Sequence, residues 1–355
     1  MEEEKTNNLN DKLEYIIENN GPLSVAEFIQ YALFDHQYGY YNKQQPFGTT
    51  GDFITSPEIS QIFGEIIGSY AAYKWIEKGK PERFQIIELG PGNGSLMNDL
   101  LRATKNISGF HDAITICLVE ASNRLKNIQK NRLKQYKPQI IHHESFDSIP
   151  INSSFIIANE FFDALPVDQY IFNNNKWYER KIGINNKTLS FIINEENPVI
   201  SAGNIINEPF PPKNDDIYEL SLNAINIMDN IANFICNTNS SALIIDYGYI
   251  KKSYGNTLQA LKQHKYCNIF HNIGTADLTT HVDFDALIKT ISKYKKLQFD
   301  ITTQRQFLLS LGIAERTTQL LKNLNSKEQE KIQNSTNRLV DKHQMGELFK
   351  TLIIN

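Results

Sequence analysis

Phe84-Gln85-Ile86-Ile87-Glu88-Leu89-Gly90-Pro91-Gly92-Asn93-Gly94 carries the reading of this chain. The apolar residues of a buried strand run straight into three glycines spaced two apart, and a helix is expected to start near Ser95. Glycine at such a turn lets the backbone reverse sharply and leaves bare peptide against which a ligand can lie, since no Cβ intervenes. The spacing separates two kinds of site. A dinucleotide fold reads G-x-G-x-x-G, with its third glycine inside the helix and a pyrophosphate on the helix N-terminus. Here Glu88 opens acid-x-G-x-G-x-G instead. An ordinary strand-to-helix turn explains a lone glycine triplet equally well, so the neighbouring strands must decide.

The acid-led spacing resembles the opening of class I S-adenosylmethionine (SAM) methyltransferases, whose cofactor has no pyrophosphate and needs close backbone approach plus carboxylates. The next apolar run, Ala113 to Val119, ends at Glu120. An acid there can accept both ribose hydroxyls, a contact open to NAD and SAM enzymes alike. The plainer alternative is that Glu120 caps a helix over residues 121–135. A third run, Gln139 to Ile141, leads to Asp147, which would meet the adenine amino group; a solvated turn explains it as well. A fourth run, Ser154 to Ala158, enters Asn159-Glu160-Phe161-Phe162-Asp163-Ala164-Leu165-Pro166. In a doubly wound sheet the crevice lies at the carboxyl ends of the strands, so these residues face the reacting end of a cofactor. Two carboxylates, an amide and two aromatics make a substrate cradle; the alternative is a helix N-cap with a hydrophobic staple.

A chain of 355 residues can hold one large core and an insert. Its 41% hydrophobic and 21% charged residues are ordinary for a soluble protein. With a net charge of −4 and lysines and arginines read as scattered, nucleic acid is not an expected partner. Cys117, Cys236 and Cys267 form no C-x-x-C pair and read as buried fillers, and no histidine lies at metal-ligand spacing, so no metal is expected. No apolar run reaches the ~20 residues that span a bilayer, so membrane insertion is not expected. The acidic Met1-Glu2-Glu3-Glu4 start is unlike a presequence, and the expected location is the cytoplasm of a bacterium.

Residues 1–80 read as an N-terminal helical and lid region, 81–166 and 217–355 as the cofactor-binding core, and 167–216 as a β-meander insert. Ser24 and Glu27 form a capping box. Ser56-Pro57-Glu58 is expected to open one long helix, in which Gly64 and Gly68 allow close helix contact. Strands are expected at Gln169–Phe172, Lys176–Ile184 and Thr188–Ile193, a helix at Ile217–Ile235, a fifth core strand at Ala242–Tyr249 and a closing strand at Phe349–Ile354.

Several segments together resemble the MidA family of SAM-dependent methyltransferases. They are Gly21 to Glu27, Gln37 to Tyr41, Gly51 to Gln61, Glu88 to Gly92, Asn159 to Pro166, Asp246 to Gly248 and Leu278 to Asp283. The resemblance runs from about Gly21 to the C-terminus, and the segments around Gly51 and Asn159 are the most specific. It implies an α/β fold with a doubly wound, Rossmann-like class I sheet, and SAM as cofactor, bound through Glu88, Gly90, Gly92, Gly94 and Glu120, to which the position of Asp147 adds a candidate for the adenine. The mitochondrial member of the family is a complex I assembly factor that symmetrically dimethylates an arginine on an NADH dehydrogenase subunit. A protein substrate of that kind is therefore the implied partner.

Methyl transfer is an in-line displacement that relies on positioning and on water exclusion. A guanidinium stays protonated to pH ~12, so a carboxylate pair that localises its charge is the expected device. Glu160 and Asp163 are the candidates, with Asn159 orienting the incoming nitrogen or the cofactor's amino group. The segment Gly51, Asp52, Phe53, Ser56, Pro57 and Glu58 is expected to close over the cofactor, with Asp52 and Glu58 as second choices for the acid pair. Two other classes stay open: a non-catalytic SAM-binding assembly chaperone, and a NAD-dependent dehydrogenase, which the glycine spacing disfavours.

Overall fold

The computed structural model of the chain describes residues 8–43, 55–199, 206–322 and 324–355. The short β1 (Leu23–Ser24) comes first, and β2 (Phe84–Leu89), β3 (Ile114–Val119), β4 (Gln139–His143) and β5 (Ser154–Asn159) are the four apolar runs. An antiparallel ribbon follows: β6 (Asp168–Asn173), β7 (Lys176–Asn185), β8 (Thr188–Ile193) and β9 (Ile217–Leu220). β10 (Ser241–Tyr249) returns to the core, and β11 (Gln259–Lys262), β12 (Lys265–Cys267) and β13 (Asp277–Thr279) make a small sheet. β14 (Val282–Asp283), β15 (Phe299–Thr303) and β16 (Phe349–Ile354) complete the set.

The central sheet has the order β15-β16-β10-β5-β2-β3-β4, with β14 also pairing β10. Only β16 runs antiparallel to the rest of that path. Every residue of β2 and β5 is buried, which is why both read as continuous apolar runs and not as alternating ones. From β2 the chain winds outward through β3 and β4, then returns to β5 and winds the other way through β10. The point of reversal lies between β2 and β5, where an open α/β sheet offers its crevice.

On one face of the sheet the helices Gln61–Glu77 and Ser95–Thr104 press closely together. A Cβ on Gly68 would lie 2.8 Å from Leu100 Cα, and one on Gly64 would lie 2.6 Å from Asp99 Cβ. The expected close contact is therefore real. A second core joins the N-terminal helices Leu9–Asn20 and Val25–Phe34 to the insert and the small sheet, through Leu13, Phe28, Ile182 and Leu278. The Ser24–Glu27 capping box forms as expected. One contact ties the two ends of this unit: β1 pairs antiparallel with β7, Leu23 opposite Ile182.

Several expectations need correction. Ser56-Pro57-Glu58 does not open the long helix. It sits in a four-residue helix, Ser56–Ile59, after which the extended Ser60 restarts the chain and caps Gln61–Glu77 by accepting from Ile62 N at 3.3 Å. Ile217–Leu220 is a strand paired with β6, and the helix begins only at Leu222, capped by Ser221. Of the cysteines, Cys117 alone is buried; Cys236 is half-buried and Cys267 exposed. Cations are also less scattered than they read. Arg124, Lys126, Lys130, Arg132, Lys134 and Lys137 follow one another with no acid between Glu120 and Glu144, on and just after the helix Asn123–Leu133. Among the described residues no helix is long and apolar enough to cross a membrane.

Candidate active site

β2 delivers the chain into the glycine turn at the point of reversal. Gly90, Gly92 and Gly94 all have positive φ, at 62°, 51° and 75°, and Gly94 is the N-cap of the helix Ser95–Thr104. Gly90 also has no room for a side chain, since a Cβ there would lie 2.9 Å from the Phe161 ring. Above the turn opens a cavity of about 540 Å³, lined among others by Gly90, Gly92, Glu120, Asp147, Glu160 and Phe161. Phe34, Tyr41 and Asn42 of the N-terminal region form part of its wall. This is the size and the place in the fold of a small-molecule site.

Glu120 stands at the carboxyl end of β3, its N–H donating to His143 O at 2.9 Å. The helix-capping alternative fails, because the cap of Asn123–Leu133 is Ser122. One oxygen of Glu120 accepts from Ser122 N at 2.8 Å and the other from Gln129 Nε2 at 3.2 Å. Each oxygen keeps a further lone pair for a ligand hydroxyl. Burial raises this carboxyl above its ordinary value. Asp147 lies in a 3₁₀ turn after β4, accepts from Asn230 Nδ2 at 2.9 Å, and lines the same cavity.

A smaller cavity of about 40 Å³ adjoins the first and shares Gly90, Gly92 and Glu160 with it. Glu88, Asn159, Asn93 and Glu58 also line it. Glu88 is 3% exposed, and burial raises its carboxyl to about 8. Its Oε2 and the Asn159 Oδ1 are buried with no hydrogen-bond partner. Two orphaned acceptors beside a glycine turn are unusual, since such atoms are nearly always satisfied. An ammonium group in this cavity would bring N–H donors to such acceptors.

The Asn159–Pro166 segment is built around strain and around one buried acid. Glu160 adopts φ 49°, rare for a side-chain-bearing residue, and its N–H continues the ladder to Ile245 O at 2.9 Å. Its Oε1 accepts from Ser56 N at 2.7 Å and from Asn159 Nδ2 at 3.3 Å. Burial, reinforced by the nearby Asp163 charge, raises the Glu160 carboxyl to about 7. Asp163 is 5% exposed, burial raises it to about 6, and it lines neither cavity. The loop hangs on Asp246, which sequence reasoning did not place in the site. Its Oδ2 accepts from Phe162 N at 2.9 Å and Asp163 N at 3.2 Å, and its Oδ1 from Tyr247 N at 2.9 Å. An acid closing the apolar run Ala242–Ile245 was the available signal, the same one that marks Glu120 after β3.

From the expected lid, Ser56, Pro57 and Glu58 do reach the site. Ser56 N meets Glu160, and Glu58 Oε1 accepts from Asn93 Nδ2 at 3.0 Å. Gly51, Asp52 and Phe53 lie outside the described residues.

A family model described as S-adenosyl-L-methionine-dependent methyltransferase matches residues 66–303. The chain belongs to this methyltransferase family. It is 33% identical to the mitochondrial protein arginine methyltransferase NDUFAF7 of Xenopus tropicalis, over 97% of this chain and 85% of the relative. The Caenorhabditis elegans NDUFAF7 homolog, also named a protein arginine methyltransferase, is 32% identical over 98% of this chain and 86% of its own length. The same fold occurs in a superfamily member from Burkholderia thailandensis, solved bound to S-adenosyl-homocysteine. It aligns with a TM-score of 0.84 at 22% identity, covering 98% of this chain and 91% of that one.

The methyltransferase's cofactor is SAM, and the residues present fit it. The two orphaned acceptors suit its ammonium group, Glu120 its ribose hydroxyls, and the large cavity its nucleoside. When bound, SAM supplies an electrophilic methyl group on a sulfonium. Replacing Glu120 by alanine is expected to weaken S-adenosyl-homocysteine binding by about 1–3 kcal/mol, the cost of removing a charged acceptor. Calorimetric titration measures this directly, and an unchanged dissociation constant removes Glu120 from the ribose contact.

Proposed function

We propose that this methyltransferase modifies an arginine on a protein, with Glu160 preparing the guanidinium. The observation that carries the reading is the position of Glu160. It lines both the large cavity and the small one, and the charge of a second buried acid, Asp163, acts on it. Relatives with about a third of their residues in common are named protein arginine methyltransferases.

The chemistry agrees with that assignment. An incoming guanidinium gives Glu160 the opposite charge it lacks, which lowers its pKa and restores the carboxylate. Held by that carboxylate, the cation's charge is drawn away from the attacking nitrogen. As the new N–C bond forms and the methyl–sulfur bond breaks, one N–H proton has to leave. The Glu160 carboxylate that pairs with the guanidinium is the group proposed to take it. Asn159, paired to Glu160 through Nδ2, helps hold the acid in place. The family resemblance supports a subunit of an NADH dehydrogenase as the protein that carries the arginine.

Tritium transfer from labelled SAM into a cell extract, followed by acid hydrolysis of the labelled protein, tests the proposal. The label is expected in methylarginine. Label in methyl-lysine or in small molecules overturns the acceptor. Intact S-adenosyl-homocysteine binding with no transfer to any extract protein favours the assembly-chaperone reading instead.

A further inference from the structure

The helix Asn123–Leu133 turns one polar side chain into the protein interior. Gln129 is 0% exposed, and a buried amide is costly unless its hydrogen bonds are made. All of them are. Its Nε2 donates to Gly92 O at 2.7 Å and to Glu120 Oε2 at 3.2 Å, and its Oε1 meets His142 Nε2 at 2.9 Å. Its Cγ also lies 3.4 Å from where a Cβ on Gly94 would sit, so its stem packs beneath that glycine. One side chain therefore touches the glycine turn at two places, the acid after β3, and a histidine of β4.

The partners leave no freedom in how the amide is oriented. A peptide carbonyl and a carboxylate can only accept, so the amide nitrogen must face Gly92 and Glu120. The amide oxygen then faces His142, which must present a hydrogen on Nε2. Burial and the charges of Lys130 and Lys126 hold His142 below the usual imidazole range, so the ring is neutral and its proton sits on Nε2.

We propose that Gln129 is a positioning residue for the cofactor, setting the glycine turn and Glu120 in mutual register, and that His142 fixes the direction of its amide. Gln129 is not among the residues lining the cavity, so it acts through its partners. With Ser122 N on one oxygen of Glu120 and Gln129 on the other, the carboxylate cannot rotate. The lone pairs left over are held for the ribose. The same amide pins the Gly92 carbonyl, in a turn where three glycines would otherwise leave the backbone loose.

The test uses the full chain and S-adenosyl-homocysteine as the probe, titrated by calorimetry well below the melting temperature. Gln129→Met keeps the length and volume of the side chain and removes every hydrogen bond. Its affinity is expected to fall about tenfold or more, as when hydrogen bonds to a charged group are lost. In a Glu120→Ala background the same substitution should cost less, because one of the two partners through which Gln129 acts is already gone. His142→Phe should weaken binding through the unanchored amide, and His142→Gln, which again offers an N–H, should restore it. Wild-type affinity in Gln129→Met with a lowered melting temperature makes the residue merely structural and overturns the proposal. If Gln129→Met does not fold, the His142 pair decides: equal affinities in the phenylalanine and glutamine variants overturn it too.

Discussion

Glu160→Gln is expected to slow methyl transfer on the order of 100-fold or more, the scale of losing one preorganised electrostatic group. S-adenosyl-homocysteine affinity should be largely kept, because the amide oxygen can still accept from Ser56 N. The pH dependence is diagnostic. In the parent protein, kcat/KM for transfer should rise as pH passes about 7 and Glu160 of the free enzyme loses its proton, and the glutamine variant should lack that limb. Stability moves the other way. The folded-state value of about 7 lies above the ordinary 4.5, so this group's contribution is full below pH 4.5 and is lost as pH rises through 7. Glu88, raised to about 8, and Asp163, raised to about 6, act in the same sense. The ligand-free protein should therefore lose melting temperature from these groups as pH rises from 5 to 8, and Glu160→Gln should flatten part of that slope. Normal turnover in the variant would show that the acid only braces the Ser56 segment.

The second large effect is expected at Gly90. Valine there would have to hold a φ of 62°, a region β-branched residues avoid, and its Cβ would start 2.9 Å from the Phe161 ring. Either the turn opens or Phe161 swings into the cavity it lines. Binding of S-adenosyl-homocysteine should fall on the order of 100-fold or more, since strain of about 1–3 kcal/mol adds to lost space. Circular dichroism and melting must accompany the titration, so that a misfolded variant is not scored. A folded Gly90→Val with parent affinity would mean that the turn shapes the backbone and not the site.

The core was legible because its strands are buried on both faces, and such strands show as unbroken apolar runs. β2, β3, β5 and β10 each announce themselves in this way, and Glu120 is visible because it breaks such a run at its carboxyl end. What stayed hidden depends on partners far along the chain. Asp246 gains its role from the amides of Phe162 and Asp163, and Gln129 from Gly92, Glu120 and His142. Short elements were lost for a different reason. Four residues of β9 run into a helix with one serine between them, and Ser60 divides what periodicity reads as a single helix. The two candidate acids also differ in place: Glu160 lines both cavities, whereas Asp163 lines neither.

The pairing of Leu23 with Ile182 is one of the contacts that join the N-terminal helices to the insert across a long stretch of chain. The turn from β2 through β3 and β4 joins neighbours in sequence, and its loops are cheap to close. The wall of the cofactor cavity is another matter, since Phe34 and Tyr41 take their places only when the first helices meet a ribbon made much later in the chain. Contacts that distant must bear loop-closure entropy before they repay it, and so they form slowly. The chain's two tryptophans stand on either side of that divide. Trp75 packs against Phe110 in the main core, and Trp177 against Phe172 and Tyr254 in the insert. Refolding followed by tryptophan fluorescence is therefore expected to report Trp75 before Trp177.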